Sequence, residues 1–129
     1  MIKVKNISKT FDDTPVLEGI STIFDKGKTN LIIGQSGSGK TVFLKCLLGL
    51  IKADKGHIEF ENKVFDSMSA KERSILRQEI GMVFQGSALF DSMTVEQNIM
   101  FPMKMLTNSE ENEVRDRANQ VIKRVNLVN

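Results

Sequence analysis

The stretch Gly34-Gln35-Ser36-Gly37-Ser38-Gly39-Lys40-Thr41 constrains this chain more than any other. It reads G-x-x-x-x-G-K-[ST], the phosphate-binding P-loop. The apolar run Leu31-Ile32-Ile33 leads into it and an apolar segment from Val42 to Leu50 follows, which is the strand–loop–helix setting the motif requires. Gly34, Gly37 and Gly39 let the backbone wrap tightly and turn N–H groups inward as an anion nest. A helix starting near Ser38 adds unpaired N–H groups and a positive dipole end. Lys40 offers a point charge for the terminal phosphates, and the Thr41 hydroxyl is a ligand for Mg²⁺. Ser36 and Ser38 either touch phosphate oxygens or are small simply to fit. A nucleoside triphosphate, ATP with Mg²⁺, is the expected ligand.

Length and composition narrow the setting. With 129 residues, 40% apolar and 26% charged, the chain is one domain at most and falls among soluble globular proteins. A net charge of +2 is too slight for nucleic acid to be the expected partner. No apolar run reaches the roughly 18 residues of a membrane span, and Met1–Lys5 lacks the apolar core of a signal peptide. The single cysteine, Cys46, rules out an internal disulfide and reads as a small core residue in a reducing compartment.

In chain order, Ile2 and Val4 alternate with Lys3 and Lys5 as a half-buried strand. Ser8–Thr14 reads as a turn holding one aromatic, Phe11. Val16–Phe24 reads as a second strand, interrupted at Gly19. Thr29–Ile33 is expected to be a buried strand, and the helix after the P-loop to be apolar around its circumference and therefore buried. His57–Phe60 and Val64-Phe65 form a small hairpin about Asn62-Lys63. His57 reads as a surface strand residue. Ser69/Glu72 and Thr94/Gln97 are capping boxes, the first opening a helix to about Glu79. Ile80–Phe84 reads as a buried strand ending at Gln85. Pro102 is expected to kink or end the second capped helix, and a last helix runs from Ser109 to about Asn126 with Val114, Ala118, Val121, Ile122 and Val125 as its stripe. Arg73 and Arg77 are expected to pair with Glu72 or Glu79. The methionines Met93, Met100, Met103 and Met105 read either as core filling or as a soft docking surface.

A P-loop preceded by two strands, Phe11 near the turn between them, and Met82-Val83-Phe84-Gln85 beyond the P-loop together resemble the nucleotide-binding domain of ABC transporter ATPases. Ala88–Val95 and Asn98 add to the likeness, which spans the whole chain, and residues 85–102 look most like lipid-trafficking importers of the Mla type. The fold implied is α/β: the N-terminal part of an ABC ATPase domain, with an antiparallel β subdomain plus part of the RecA-like core. Residues 1–129 would form a partial nucleotide-binding domain, with the P-loop at 34–41, the Q-loop near 85 and the helical subdomain starting at about 94–129. By the same resemblance Phe11 stacks on adenine, where the family more often has tyrosine. Gln85 reaches Mg²⁺ and the attacking water, so Lys40 and Gln85 are the candidate catalytic residues and Thr41 and Gln85 the metal-contacting ones.

The family continues with an L-S-G-G-Q signature, a Walker B strand and a switch histidine, none of which occurs in these residues. The resemblance therefore implies the front half of a domain, truncated before the signature and Walker B, with two strand edges left without neighbours; a proteolysed product is the other reading. The complete form would hydrolyse ATP as a homodimer at the cytoplasmic face of the membrane, with a permease subunit docking near Gln85–Met93. The chain alone would bind nucleotide without turnover. A non-catalytic nucleotide-binding module is the alternative, and a P-loop kinase a weaker one. Within the docking stretch, Leu89, Phe90 and Met93 either face a partner or, for Phe90, fold back beneath the Thr94 helix.

Overall fold

The computed structural model describes residues 1–84, 86 and 88–127, and these fall into two compact units, Met1–Glu79 and Ile80–Asn129. The first is built on a four-stranded antiparallel sheet in the order β2-β1-β3-β4. Its strands are β1 (Ile2–Phe11), β2 (Thr14–Phe24), β3 (Lys55–Phe60) and β4 (Lys63–Val64). Both hairpins close through two residues with positive φ, Asp12-Asp13 and Glu61-Asn62. Such turns match the right-handed twist of the flanking strands. β1 is thus longer than the alternation of its first residues predicts: the turn is only two residues, and Phe11 ends the strand paired with Thr14.

Val4 and Ile7 are both buried, although three residues apart in a strand should place them on opposite faces. A bulge between them resolves the conflict. Asn6 takes φ 51° there, its N–H donates to Ser21 Oγ at 2.9 Å, and Ile7 returns to the face where Val4 lies opposite Ile58. A second irregularity lies opposite Gly19, whose N–H donates to Ser8 Oγ at 2.9 Å. The interruption expected at Gly19 is therefore a bulge inside a continuous β2.

Helix α1 (Lys40–Leu47) and the short turn Phe65–Ser67 complete the core, with Phe43, Cys46, Leu47 and Phe65 buried beside Leu17, Ile58 and Phe60. Phe24 meets Phe43 and Phe60 meets Phe65 as tilted ring pairs at 6.4 and 5.8 Å. Burial pushes the Cys46 thiol up, consistent with a core residue. Leu44 and Leu50 are exposed, so α1 buries one face, not its whole circumference. The expected strand at residues 29–33 is also absent. No ladder partner pairs with it among the described residues, and Leu31 and Ile33 are 82% and 85% exposed. An apolar run becomes a strand only through hydrogen-bonded neighbours. The same correction holds for residues 80–84, where Val83 is 97% exposed.

Helix α2 (Ala70–Gln78) opens on the Ser69/Glu72 capping box, with both reciprocal bonds formed. Its arginines do not pair with Glu72 or Glu79 as expected from the sequence. Arg73 donates to the carbonyls of Met68 and Asp66, and Arg77 to those of Leu48 and Gly49; both guanidinium groups lie over the Phe65 ring, at 5.3 and 5.8 Å. Orphan carbonyls and an aromatic face offer a guanidinium more than an exposed carboxylate does. Lys63, by contrast, reaches Glu72 at 3.6 Å on the surface.

The second unit is a helical pair. Helix α3 (Val95–Leu106) begins at the Thr94/Gln97 capping box and α4 (Glu111–Arg124) follows. Met100, Val114 and Ala118 form the core, with Ile99 and Met103 packed against it, so Met100 and Met103 are core filling while Met105 is exposed. Pro102 does not end α3. It costs the helix one backbone donor, and capping and packing on α4 carry the helix four residues past it. Val125 lies exposed beyond the end of α4, outside the stripe expected of it.

Gly49 is where this packing is least tolerant. Its φ is 63°, and an added Cβ would strike the Phe65 ring. Gly49→Ala is expected to lower stability by roughly 1–3 kcal/mol. An unchanged denaturant midpoint would show that Phe65 is free to move aside.

Candidate functional site

The phosphate loop is shaped by its packing against the hairpin. Gly39 is the N-cap of α1, buried, with φ 85°. A Cβ there would lie 2.8 Å from the Val16 carbonyl and 3.0 Å from Leu17 Cδ2, so only glycine lets β2 come this close. Gly37 is also left-handed, at φ 78°. Ser36, Gly37 and Ser38 form an exposed turn, and Ser38 N–H donates to the Gln35 carbonyl at 3.2 Å. Gly34 has ordinary φ, but a Cβ there would sit 2.5 Å from Ser38 Oγ.

Lys40 Nζ folds back over the loop and donates to the carbonyls of Gly34 and Gln35 at 2.8 and 2.7 Å. The ammonium thus sits across the mouth of the nest, where an anion would meet it together with the first amides of α1. Thr41, in the first turn of α1, is exposed. These features fit a nucleoside triphosphate: glycines where side chains would intrude, backbone donors at a helix N-terminus, and a lysine already at the loop. A hard cation bridging the phosphates would find an oxygen ligand in Thr41. No cluster of three or more His, Cys, Asp or Glu side chains suited to a metal is present among the described residues. Beside the loop, Leu17, Ile20, Phe24, Asn30, Leu31 and Phe43 line part of a cleft of about 360 Å³.

Phe11 lies at the same end of the hairpin as the phosphate loop. Thr14 and Pro15 pair with Phe11 and Thr10, and Val16 and Leu17 next along β2 are the residues that cover Gly39. The Phe11 ring is 41% exposed. Residues that sequence reasoning passed over surround it. Lys9 Nζ lies 5.1 Å over the ring centroid and pairs with Asp54 Oδ1 at 2.7 Å, while Thr10 N–H donates to Asp54 Oδ2 at 2.7 Å. Lys9 foremost, then the Thr10 amide, holds the Asp54 carboxyl below the usual carboxylate range. The pair is complete above that range and is lost as pH falls through the lowered value. Nothing in the local sequence signals it, because Lys9 and Asp54 are 45 residues apart. His57, on β3, is half-buried with Nε2 3.1 Å from Glu59 Oε1, a strand residue as expected.

Gln85 lies outside the described residues, so the structure says nothing of its metal or water contacts. In the second unit, the stretch from Phe90 to Thr94 is organised by Asn98. Its Nδ2 donates to the carbonyls of Phe90, Met93 and Thr94 at 3.1, 3.1 and 3.0 Å, and its Oδ1 accepts the Phe90 N–H at 2.7 Å. The Phe90 ring packs edge-on against Phe101 at 4.8 Å yet stays 48% exposed, and Leu89 is exposed beside it. Folding back and exposure thus coexist at Phe90.

A glycine-rich turn wrapped on a hairpin, with a lysine and a helix N-terminus at its mouth, defines a P-loop nucleotide-binding module. Residues 17–129 match the model of the ABC transporter family, and the chain belongs to that family. It is 35% identical over 126 residues to a probable ribonucleotide transport ATP-binding protein, mkl, of Mycobacterium leprae, covering 98% of this chain and 36% of that protein. It is 34% identical over 129 residues to the methionine import ATP-binding protein MetN of Clostridium tetani, covering 100% of this chain and 40% of that protein. Among solved structures, an ATP-binding cassette captured as a dimer in a post-hydrolysis state with ADP and Pi superposes with a TM-score of 0.82 and 28% identity, over 95% of this chain and 56% of that one. The fold expected from the sequence, the N-terminal part of an ABC ATPase domain, is thereby shown. The relatives are named for ribonucleotide transport and methionine import, and none of these matches speaks for the Mla-type assignment. The chain spans well under half the length of both curated relatives.

Lys40→Ala is expected to weaken ATP binding by about one to two decades, the worth of a charge-assisted contact, while the fold survives because the side chain caps only loop carbonyls. Calorimetry giving unchanged affinity in a variant with an unchanged melting curve would remove Lys40 from the site.

Proposed function

We propose that this chain is the nucleotide-binding front part of a transport ATPase subunit, which in complete form couples ATP binding and hydrolysis to movement of a solute across a membrane. The observation that carries the reading is the packing of the Phe11 end of the hairpin onto the phosphate loop, with β2 touching Gly39. A base platform and a triphosphate cradle at one end of a single unit suit a nucleotide better than inorganic phosphate. In this reading Gly34, Ser36, Gly37, Ser38 and Gly39 present donors to the phosphates, Lys40 neutralises their charge, and Thr41 with Gln85 holds Mg²⁺. Mg²⁺ would supply charge neutralisation at the terminal phosphates. Gln85 would orient the attacking water, with Lys40 stabilising charge as it develops.

The named relatives are transport and import ATP-binding proteins, which supports a membrane permease as partner and a second ATPase subunit across the nucleotide. The site of work would be the cytoplasmic face of the membrane. No helix among the described residues is long and apolar enough to cross a membrane. The permease would dock near Gln85–Met93, on the exposed Leu89 and Phe90. As to cargo, the relatives' names favour a nucleotide or an amino acid; the wording of residues 85–102 favours a lipid, and that is the second reading.

Phe11→Ala should weaken ATP roughly several-fold, the low end of base–aromatic stacking, and leave inorganic tripolyphosphate unaffected. Equal losses for the two ligands would instead make Phe11 a support for the loop. Phe90→Ser should spare ATP affinity and abolish assembly onto the permease, since Asn98 still ties the loop backbone. A collapse in melting temperature, with assembly intact at low temperature, would assign Phe90 to the core of its unit.

A further inference from the structure

Phe11 is the only ring with a lysine stacked on it among the described residues, and the lysine is itself held. Lys9 is largely buried along its side chain, which is 16% exposed, and its ammonium is fixed on Asp54 Oδ1 at 2.7 Å. The second oxygen of the same carboxylate takes the Thr10 N–H, and the Asp54 N–H donates to the Ser8 carbonyl at 2.9 Å. One aspartate therefore binds three successive residues, Ser8, Thr10 and the side chain of Lys9, immediately before Phe11. Asp54 stands at the end of the segment that leaves α1, so the helix carrying Lys40 and Thr41 is linked through it to the strand carrying Phe11.

We infer that Lys9 and Asp54 are positioning residues for the base, fixing the Phe11 ring with its cation-bearing face inward and its other face free for an adenine-type π system. The inference rests on the proposal that Phe11 stacks on the nucleotide base. A cation held over one face draws π density toward itself and leaves the far face better suited to an electron-rich purine. A phenylalanine has no hydroxyl with which to anchor its own ring, and the ammonium supplies that anchor from beneath. Lys9 adds little net charge to the site, because Asp54 neutralises it; its effect falls on the base and not on the phosphates.

The test compares ATP with tripolyphosphate by calorimetry on the full chain, with thermal melts in parallel. Lys9→Met and Asp54→Asn should each weaken ATP about three- to ten-fold and leave tripolyphosphate within roughly two-fold. Lys9→Arg, which keeps the cation and the ion pair, should restore most of the ATP affinity. In a Phe11→Ala background, Lys9→Met should cost nothing further, since the ring it positions is gone. Wild-type ATP affinity in a folded Lys9→Met chain, alongside a loss in Phe11→Ala, would overturn the positioning role and leave base stacking standing. Wild-type affinity in Phe11→Ala would remove the base platform itself. Equal losses of ATP and tripolyphosphate would make the clamp a support of the phosphate loop, against the inference. If either Lys9→Met or Asp54→Asn melts without a cooperative transition, the other reads the same outcomes.

Discussion

The approach of β2 to Gly39 is the contact on which the first unit depends. A strand carbonyl and a leucine methyl occupy the volume a Cβ would fill, and the backbone there is left-handed. The two requirements coincide on one residue, so glycine at this position serves packing and loop shape together. Because Gly39 also caps α1, the direction in which the helix leaves the sheet is set by the same contact. The phosphate loop is therefore not an independent ring of glycines; it is the seam between a hairpin and a helix.

The hairpin reaches that seam by being irregular. A ladder without bulges would alternate Val4 and Ile7 across the sheet and leave one of them in water. The bulge at Asn6, closed by Ser21, and the left-handed Gly19, closed by Ser8, correct the phase at the cost of local side-chain hydrogen bonds. The second unit applies a comparable device to a loop. Asn98 uses its whole amide on the backbone of residues 90–94, which frees the ring of Phe90 to be half exposed without loosening the chain that carries it.

What could be read from the sequence was whatever is settled within a few residues. Both capping boxes formed, the stripe of Val114 and Ala118 is buried, and Cys46 lies in the core as its surroundings suggested. The phosphate loop was legible for the same reason, its glycines, lysine and threonine being contiguous. Features that need a distant partner are less legible. Residues 29–33 and 80–84 have the composition of buried strands, but a strand exists only with neighbours, and none pairs with them among the described residues. Glu72 and Glu79 are near in sequence to Arg73 and Arg77, but carbonyls 28 and 29 residues distant claim Arg77. The Lys9–Asp54 pair left no local trace at all.

The cap that Arg77 places on α1 has a consequence for how the site comes into being. Helix α1 has eight residues, fewer than a helix needs to persist alone in water. The carbonyls of Leu48 and Gly49 at its C-terminal end are satisfied by Arg77 of α2, and Gly49 lies against Phe65, whose ring carries two guanidinium groups over it. The C-terminal end of the helix that follows the glycine-rich loop thus leans on a segment some thirty residues downstream. Formation of α1 is thereby tied to tertiary packing, and a peptide carrying residues 34–47 alone would keep the motif without a stable helix behind it.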